Sequence, residues 1–75
     1  MTKQNMSTEI MEYMVWVVEI VAKEFFAGDK ALAYNALKEQ EVWDLYIDHY
    51  DVTHTLGKEY ILNEIREIFT AKGVV

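Results

Sequence analysis

The chain has 75 residues, no cysteine, no proline and a formal net charge of −6. That length fits one domain with a small core, and the missing cysteines exclude disulfides, thiolate metal sites and a cysteine nucleophile. Thirteen acids against seven bases repel a phosphate backbone, which argues against nucleic acid, including DNA binding by a helical regulator.

Without disulfides, a fold this small depends on tight helix packing or on association with another chain. Apolar residues make up 52% of the sequence, enough for a core and an interface. Residues 1–6 are expected to form a disordered tail, followed by a single helical domain over residues 7–73. The start is polar and shows no signal-peptide pattern. The longest strongly apolar run, Met14 to Ala22, is broken by Glu19 and is too short to span a bilayer. The expectation is a soluble, cytoplasmic protein.

Strong helix formers throughout point to an all-α fold, a compact bundle of about four helices. The first helix is expected from about Ser7 to Phe26. Ser7 or Thr8 can cap it, and Glu9 suits the positive end of its dipole. Ile10, Met14, Val17, Val18, Val21 and Phe25 form a core face, with Met11 and Met14 both read as core. Tyr13, Trp16 and Ile20 form a second apolar face at i, i+3, i+7. A helix apolar nearly all round is either wrapped by its neighbours or meets another chain on one side. Both explanations stay open here.

Gly28 is expected to end this helix, and Asp29 to cap a second one over about Lys30 to Glu39. That helix is rich in alanine, with bulk only at Leu32, Tyr34 and Leu37. A third, aromatic-rich helix is expected over about Glu41 to Tyr50, with Trp43, Ile47 and Tyr50 on one face. The last helix is expected over about Leu56 to Ala71, with Gly73 as terminator. Its stripe of Ile61, Leu62, Ile65, Ile68 and Phe69 should be core. Glu59, Asn63, Arg66 and Glu67 should lie in water, and Glu64 is read as a solvated acid.

The segment YDVTHTLGKEY, Tyr50 to Tyr60, gathers most of the polar chemistry. A metal reading pairs His49 with His54, helped by Asp48 or Asp51, but zinc needs three or four ligands and His-x4-His does not share a helix face. A catalytic reading makes His54 a base oriented by Asp51, with Thr53 or Thr55 as nucleophile, yet it lacks an evident oxyanion donor. A capping reading accounts for more residues. Thr55 can cap the last helix, Gly57 falls in its first turn, and Asp51 or Thr53 can close the preceding turn. The free amides of a helix start also leave anion binding open. There is no phosphate-binding glycine loop and no HExxH. No catalytic, cofactor-binding or metal-ligating residue is assigned.

The stretch LYIDHYDVTHTLGKEYILNEIREIF, Leu45 to Phe69, resembles a family of small bacterial proteins catalogued as domain of unknown function 3791. The family pattern, an apolar first helix followed by a segment like YL…YD.LHT.G..Y…DI..FL, is matched by Tyr46, Ile47, Tyr50, Asp51, His54, Thr55, Gly57, Tyr60 and Ile65. Glu64 stands where the pattern has aspartate. The likeness extends over about Met14 to Phe69. It implies a compact helical domain with no assigned activity. Members of this kind are often encoded beside toxin-like proteins, including ADP-ribosyltransferase-like ones, which implies an accessory or antitoxin-like role and carries over no catalytic residue.

The reading that follows is a non-enzymatic interaction module that binds another protein or itself, with a homo-oligomer open. Its candidate interface is Tyr13, Trp16, Ile20, Trp43 and Tyr46, because aromatic anchors combine area with a polar tip. The alternative is a small-ligand or metal site at the joint of Asp51, His54, Thr55 and Gly57.

Overall fold

The computed structural model describes residues 7–75, so the tail expected at residues 1–6 lies outside the described residues. The first helix, α1, spans Thr8–Phe25. Ser7 caps it, its hydroxyl accepting from the Ile10 amide at 3.2 Å. The cap satisfies one of the amides that a helix start leaves free. At the other end Gly28, at φ 90°, donates to the Ala22 carbonyl at 2.8 Å. Ala27 shares the left-handed turn at φ 53°, a conformation that a Cβ makes costly.

Asp29 then opens α2, Lys30–Glu39, its carboxylate accepting from the Leu32 amide at 3.1 Å. Glu41 turns the chain next, at φ 64°, with no side-chain cap for the helix that follows.

The aromatic segment forms two helices where one was expected. α3 spans Val42–Asp48 and α4 spans Tyr50–Thr53. His49, at φ −113° and ψ 32°, breaks the run. Its carbonyl starts α4 by accepting from the amides of Val52 and Thr53 at 2.9 and 2.8 Å. The Thr53 hydroxyl donates to the Tyr46 carbonyl at 3.3 Å. That carbonyl lies in the last turn of α3, where acceptors lack helical amide partners. The break therefore keeps its polar groups paired.

The final helix, α5, spans Lys58–Ala71 and starts two residues later than expected. Gly57 is its N-cap residue, with extended backbone and no side-chain bond. Past its end Gly73 adopts φ 76°, and the Val74 amide donates to the Phe69 carbonyl at 2.8 Å. That bond folds Val74 back against the core.

α1 is the central element, packed against α2, α3 and α5. Met14, Val17 and Val21 of α1 are fully buried, together with Ala33 and Leu37 of α2, Val42 and Tyr46 of α3, and Ile61, Ile65 and Phe69 of α5. Each buried Val, Leu, Ile or Phe contributes roughly 1.5–3 kcal/mol. The small Ala33 and Ala36 let α2 approach closely. Arg66 of α5 pairs with Glu24 of α1 and lies over the Phe25 ring, 5.4 Å from its centroid. Phe25 in turn meets Phe69 edge-on at 5.5 Å. The four helices expected become five among the described residues, all within an all-α bundle.

Candidate interaction surface

At the joint between α4 and α5, Thr55 and one ring nitrogen of His54 bond to nearby backbone. Thr55 does not cap α5; its hydroxyl donates backwards, to the Val52 carbonyl, at 2.6 Å. It closes the end of α4 instead, because α5 begins at Lys58, beyond the reach expected of it. His54 stacks on the Tyr50 ring at 4.4 Å, and its Nδ1 meets the Tyr50 carbonyl at 2.5 Å. Against a carbonyl oxygen that nitrogen is the donor, which fixes the ring against its own turn. Asp51 and His54 are exposed. Among the described residues no group of three or more histidine, aspartate or glutamate side chains is placed to hold a metal ion.

Beside this joint lies a polar cluster that the sequence pattern concealed. The Tyr46 ring is 1% exposed, and its hydroxyl donates to the Glu64 carboxylate, joining α3 to α5. Glu64 is half-buried, not solvated as expected. Burial first, then the bond to Glu64 and that carboxylate's charge, push the Tyr46 phenol well above the usual tyrosine range. Tyr13 of α1 packs edge-on against Tyr50 at 5.3 Å. Burial raises its phenol too; the neighbouring Thr53 hydroxyl works in the opposite direction, while Glu64 and Tyr50 add to the rise. Thr53 gives its own proton to Tyr46, and the Tyr13 hydroxyl has no hydrogen-bond partner. One signal for Glu64 was present in the sequence. At one position before Ile65 and three after Ile61, it borders the apolar stripe and does not oppose it.

The five residues expected at an interface separate. Ile20 and Tyr46, at 7% and 1% exposure, belong to the core and offer nothing to a second chain. Helical geometry gathers both because the bundle surrounds α1 on that side. Tyr13 faces α4, and Trp16 sits half-buried beside it with ring centroids 5.9 Å apart. Trp43 alone borders an apolar opening.

That opening lies on the other flank of α1. Val15, Val18, Lys30, Ala31, Tyr34 and Trp43 line an open groove of about 400 Å3. Its walls are apolar apart from Lys30. Val15 is 54% exposed, and Met11, one turn earlier on the same line, is 51% exposed and so is not core as expected. Tyr34 and Trp43 meet edge-on at 4.9 Å and form one wall. Two further depressions are polar: one of about 320 Å3 around Glu24, Lys58 and Arg66, and one of about 340 Å3 around Tyr60, Glu64 and Glu67. Met11 and Val15 thus expose apolar side chains along one line of α1 beside the groove. Sequence reasoning missed this patch because it read Met11 as core and placed Val15 on neither apolar face, and α2 is too slender to cover them.

A small all-α bundle bearing an open apolar groove is the class that fold and site define. Within it, the family model described as "Protein of unknown function (DUF3791)" matches residues 12–72. The chain belongs to that family. The match includes the whole stretch on which the resemblance was drawn. No curated protein matches, and no solved structure matches. Among the described residues no helix is long and apolar enough to cross a membrane.

Proposed function

We propose that this protein is a non-enzymatic interaction module that docks another polypeptide in the groove between α1, α2 and α3. The observation that carries this reading is the exposure of Val15 and Tyr34, beside half-buried Trp43, around one apolar opening. A buried Trp or Tyr anchor contributes on the order of 2 kcal/mol or more to an interface. Docking on this groove would cover an apolar surface that α2 leaves open. At the joint, the bonds of His54 and Thr55 run to their own backbone and serve the fold.

An accessory or antitoxin-like role, which the family resemblance implies, is one form of the same activity. Such a protein works by covering a partner's surface and needs no chemistry of its own. A bacterial, cytoplasmic setting belongs to the same proposal.

The test compares affinity purification of tagged wild type, Val15→Asp, Trp43→Ala and Trp16→Ala from the native host. The groove variants should lose a stoichiometric protein, or self-association, that wild type retains. Trp16→Ala, on the other flank, should retain it. Equal recovery by all four would sink the groove as a docking surface.

A further inference from the structure

We propose that the groove is filled by a second copy of this chain, related to the first by a two-fold axis running along the groove. The inference rests on the groove being a docking surface, as argued above. It adds the identity of the occupant and the geometry of the pair.

Charge on the two edges of the groove identifies the occupant. On α1, Glu12, Val15 and Glu19 follow i, i+3, i+7 and form one line along the helix. On α2, Lys30, Tyr34 and Lys38 follow i, i+4, i+8 and form another. The short turn after α1 sends α2 back along it, and Glu19 meets Lys30 across the two helices at 3.5 Å. The groove thus has an acidic edge, Glu–Val–Glu, and a basic edge, Lys–Tyr–Lys. In a chain of net charge −6, two of the seven bases stand on this one edge.

A surface with opposite charge on its two edges is complementary to itself under one two-fold and not the other. With the axis along the groove, the acidic edge of each copy lies over the basic edge of its partner. With the axis across the groove, acid lies over acid. Like charges placed together oppose association, and opposite charges set the register. The spacing agrees. Glu12 and Glu19 are separated by about 10.5 Å of helix rise, and Lys30 and Lys38 by about 12 Å. The two-fold keeps Glu19 level with Lys30 and Glu12 level with Lys38, with Val15 set over Tyr34. An isologous contact of this kind closes on itself as a dimer.

The existing contacts do not compete strongly. Glu19 and Lys30 are 44% and 64% exposed, and such pairs are worth little in water. The Lys38 ammonium is 6.0 Å from the Tyr34 ring centroid, poised at the groove's edge. A chain this short, without disulfides, also belongs to the size range in which association is a common means of stabilisation.

Sedimentation equilibrium on the purified full chain tests the proposal, from low to high micromolar concentration. Four samples are compared: wild type, Glu12→Lys/Glu19→Lys, Lys30→Glu/Lys38→Glu, and an equimolar mixture of the two variants. Circular dichroism checks that each is folded, and Val15→Asp provides an independent break in the groove. The wild type should dimerise. Each charge variant should dissociate at least roughly tenfold more readily, because both of its edges carry one sign. The mixture should restore a one-to-one heterodimer.

A wild type that stays monomeric throughout overturns the proposal. So does a dimer indifferent to Val15→Asp or to the charge variants. If a monomeric wild type captures a different host protein through Val15, the second copy is wrong and the docking surface stands. If neither self-association nor capture responds to Val15→Asp, both readings fall.

Discussion

Tyr46→Phe isolates the bond between α3 and α5 with almost no change in shape. The ring is 1% exposed and fills the core, so the variant keeps its packing and loses only the hydroxyl that Glu64 accepts. Hydrogen bonds to charged groups contribute about 1.5–3 kcal/mol. Glu64 is only half-buried and can recruit water once its donor is gone, which places the loss near the lower end, about 1.5 kcal/mol. In a domain of this size each kcal/mol moves the melting temperature by roughly 4–8 °C, so Tm should fall by roughly 6–12 °C. Thermal unfolding followed by circular dichroism at neutral pH is the assay. Glu64→Gln is the companion, since its amide oxygen still accepts and should retain part of the stability. A Tyr46→Phe protein that melts within a degree or two of wild type would refute the reasoning, and the bond would then hold nothing together.

Tyr13→Phe should behave in the opposite way. Its hydroxyl is buried without a partner, so its removal should leave urea stability unchanged or raise it by up to about 1 kcal/mol. Glu41→Gly should raise stability by about 0.5–1 kcal/mol in the same assay, since the φ of 64° costs a Cβ more than glycine loses in freedom. A drop on substitution would show that the Glu41 side chain does more than turn the chain. Alkaline titration has a definite sign. Tyr13 and Tyr46 are raised above the ordinary value of 10, so the unfolded chain releases protons first as pH rises. Their contribution is complete below pH 10 and is lost above it, and each such group steepens the loss by up to about 1.4 kcal/mol per pH unit. Tyr46→Phe should make the decline above pH 10 shallower; an unchanged slope would mean that Tyr46 is not the group responsible.

The helix starts at Ser7 and Asp29 were legible because a capping side chain acts within three residues of itself. Gly28 was legible because only a residue without Cβ adopts its backbone freely. The break at His49 was not. No proline or glycine marks it, and the bond that sustains it runs from Thr53 to Tyr46, seven residues apart. Thr55 misled for a related reason. A threonine before a helix and a threonine after one read alike, and the choice depended on where α5 begins. Glu64 needed a tertiary fact, the placing of Tyr46 against α5, that no pattern within α5 contains.

The first helix is apolar nearly all round, with only a narrow charged strip. Its two apolar flanks meet different things. The Tyr13 flank, read from sequence as the candidate interface, faces α4 and is covered by Tyr50. The Met11 and Val15 flank, of which Met11 was expected in the core, remains open beside a slender α2. Periodicity identifies how much of a helix is apolar but not which side its neighbours are wide enough to cover. In α2 two of the three buried residues, Ala33 and Ala36, are small and only Leu37 has bulk, and Val15 and Val18 are left bordering a groove. The alanines that look like a weak helix in the sequence are therefore what creates the opening. Replacing Ala31, which is exposed in the groove wall, with a larger apolar residue would fill that opening from within the chain. Ala31→Leu should leave the bundle folded and compete with whatever docks there, which ties the local shape of α2 directly to the function proposed for the whole domain.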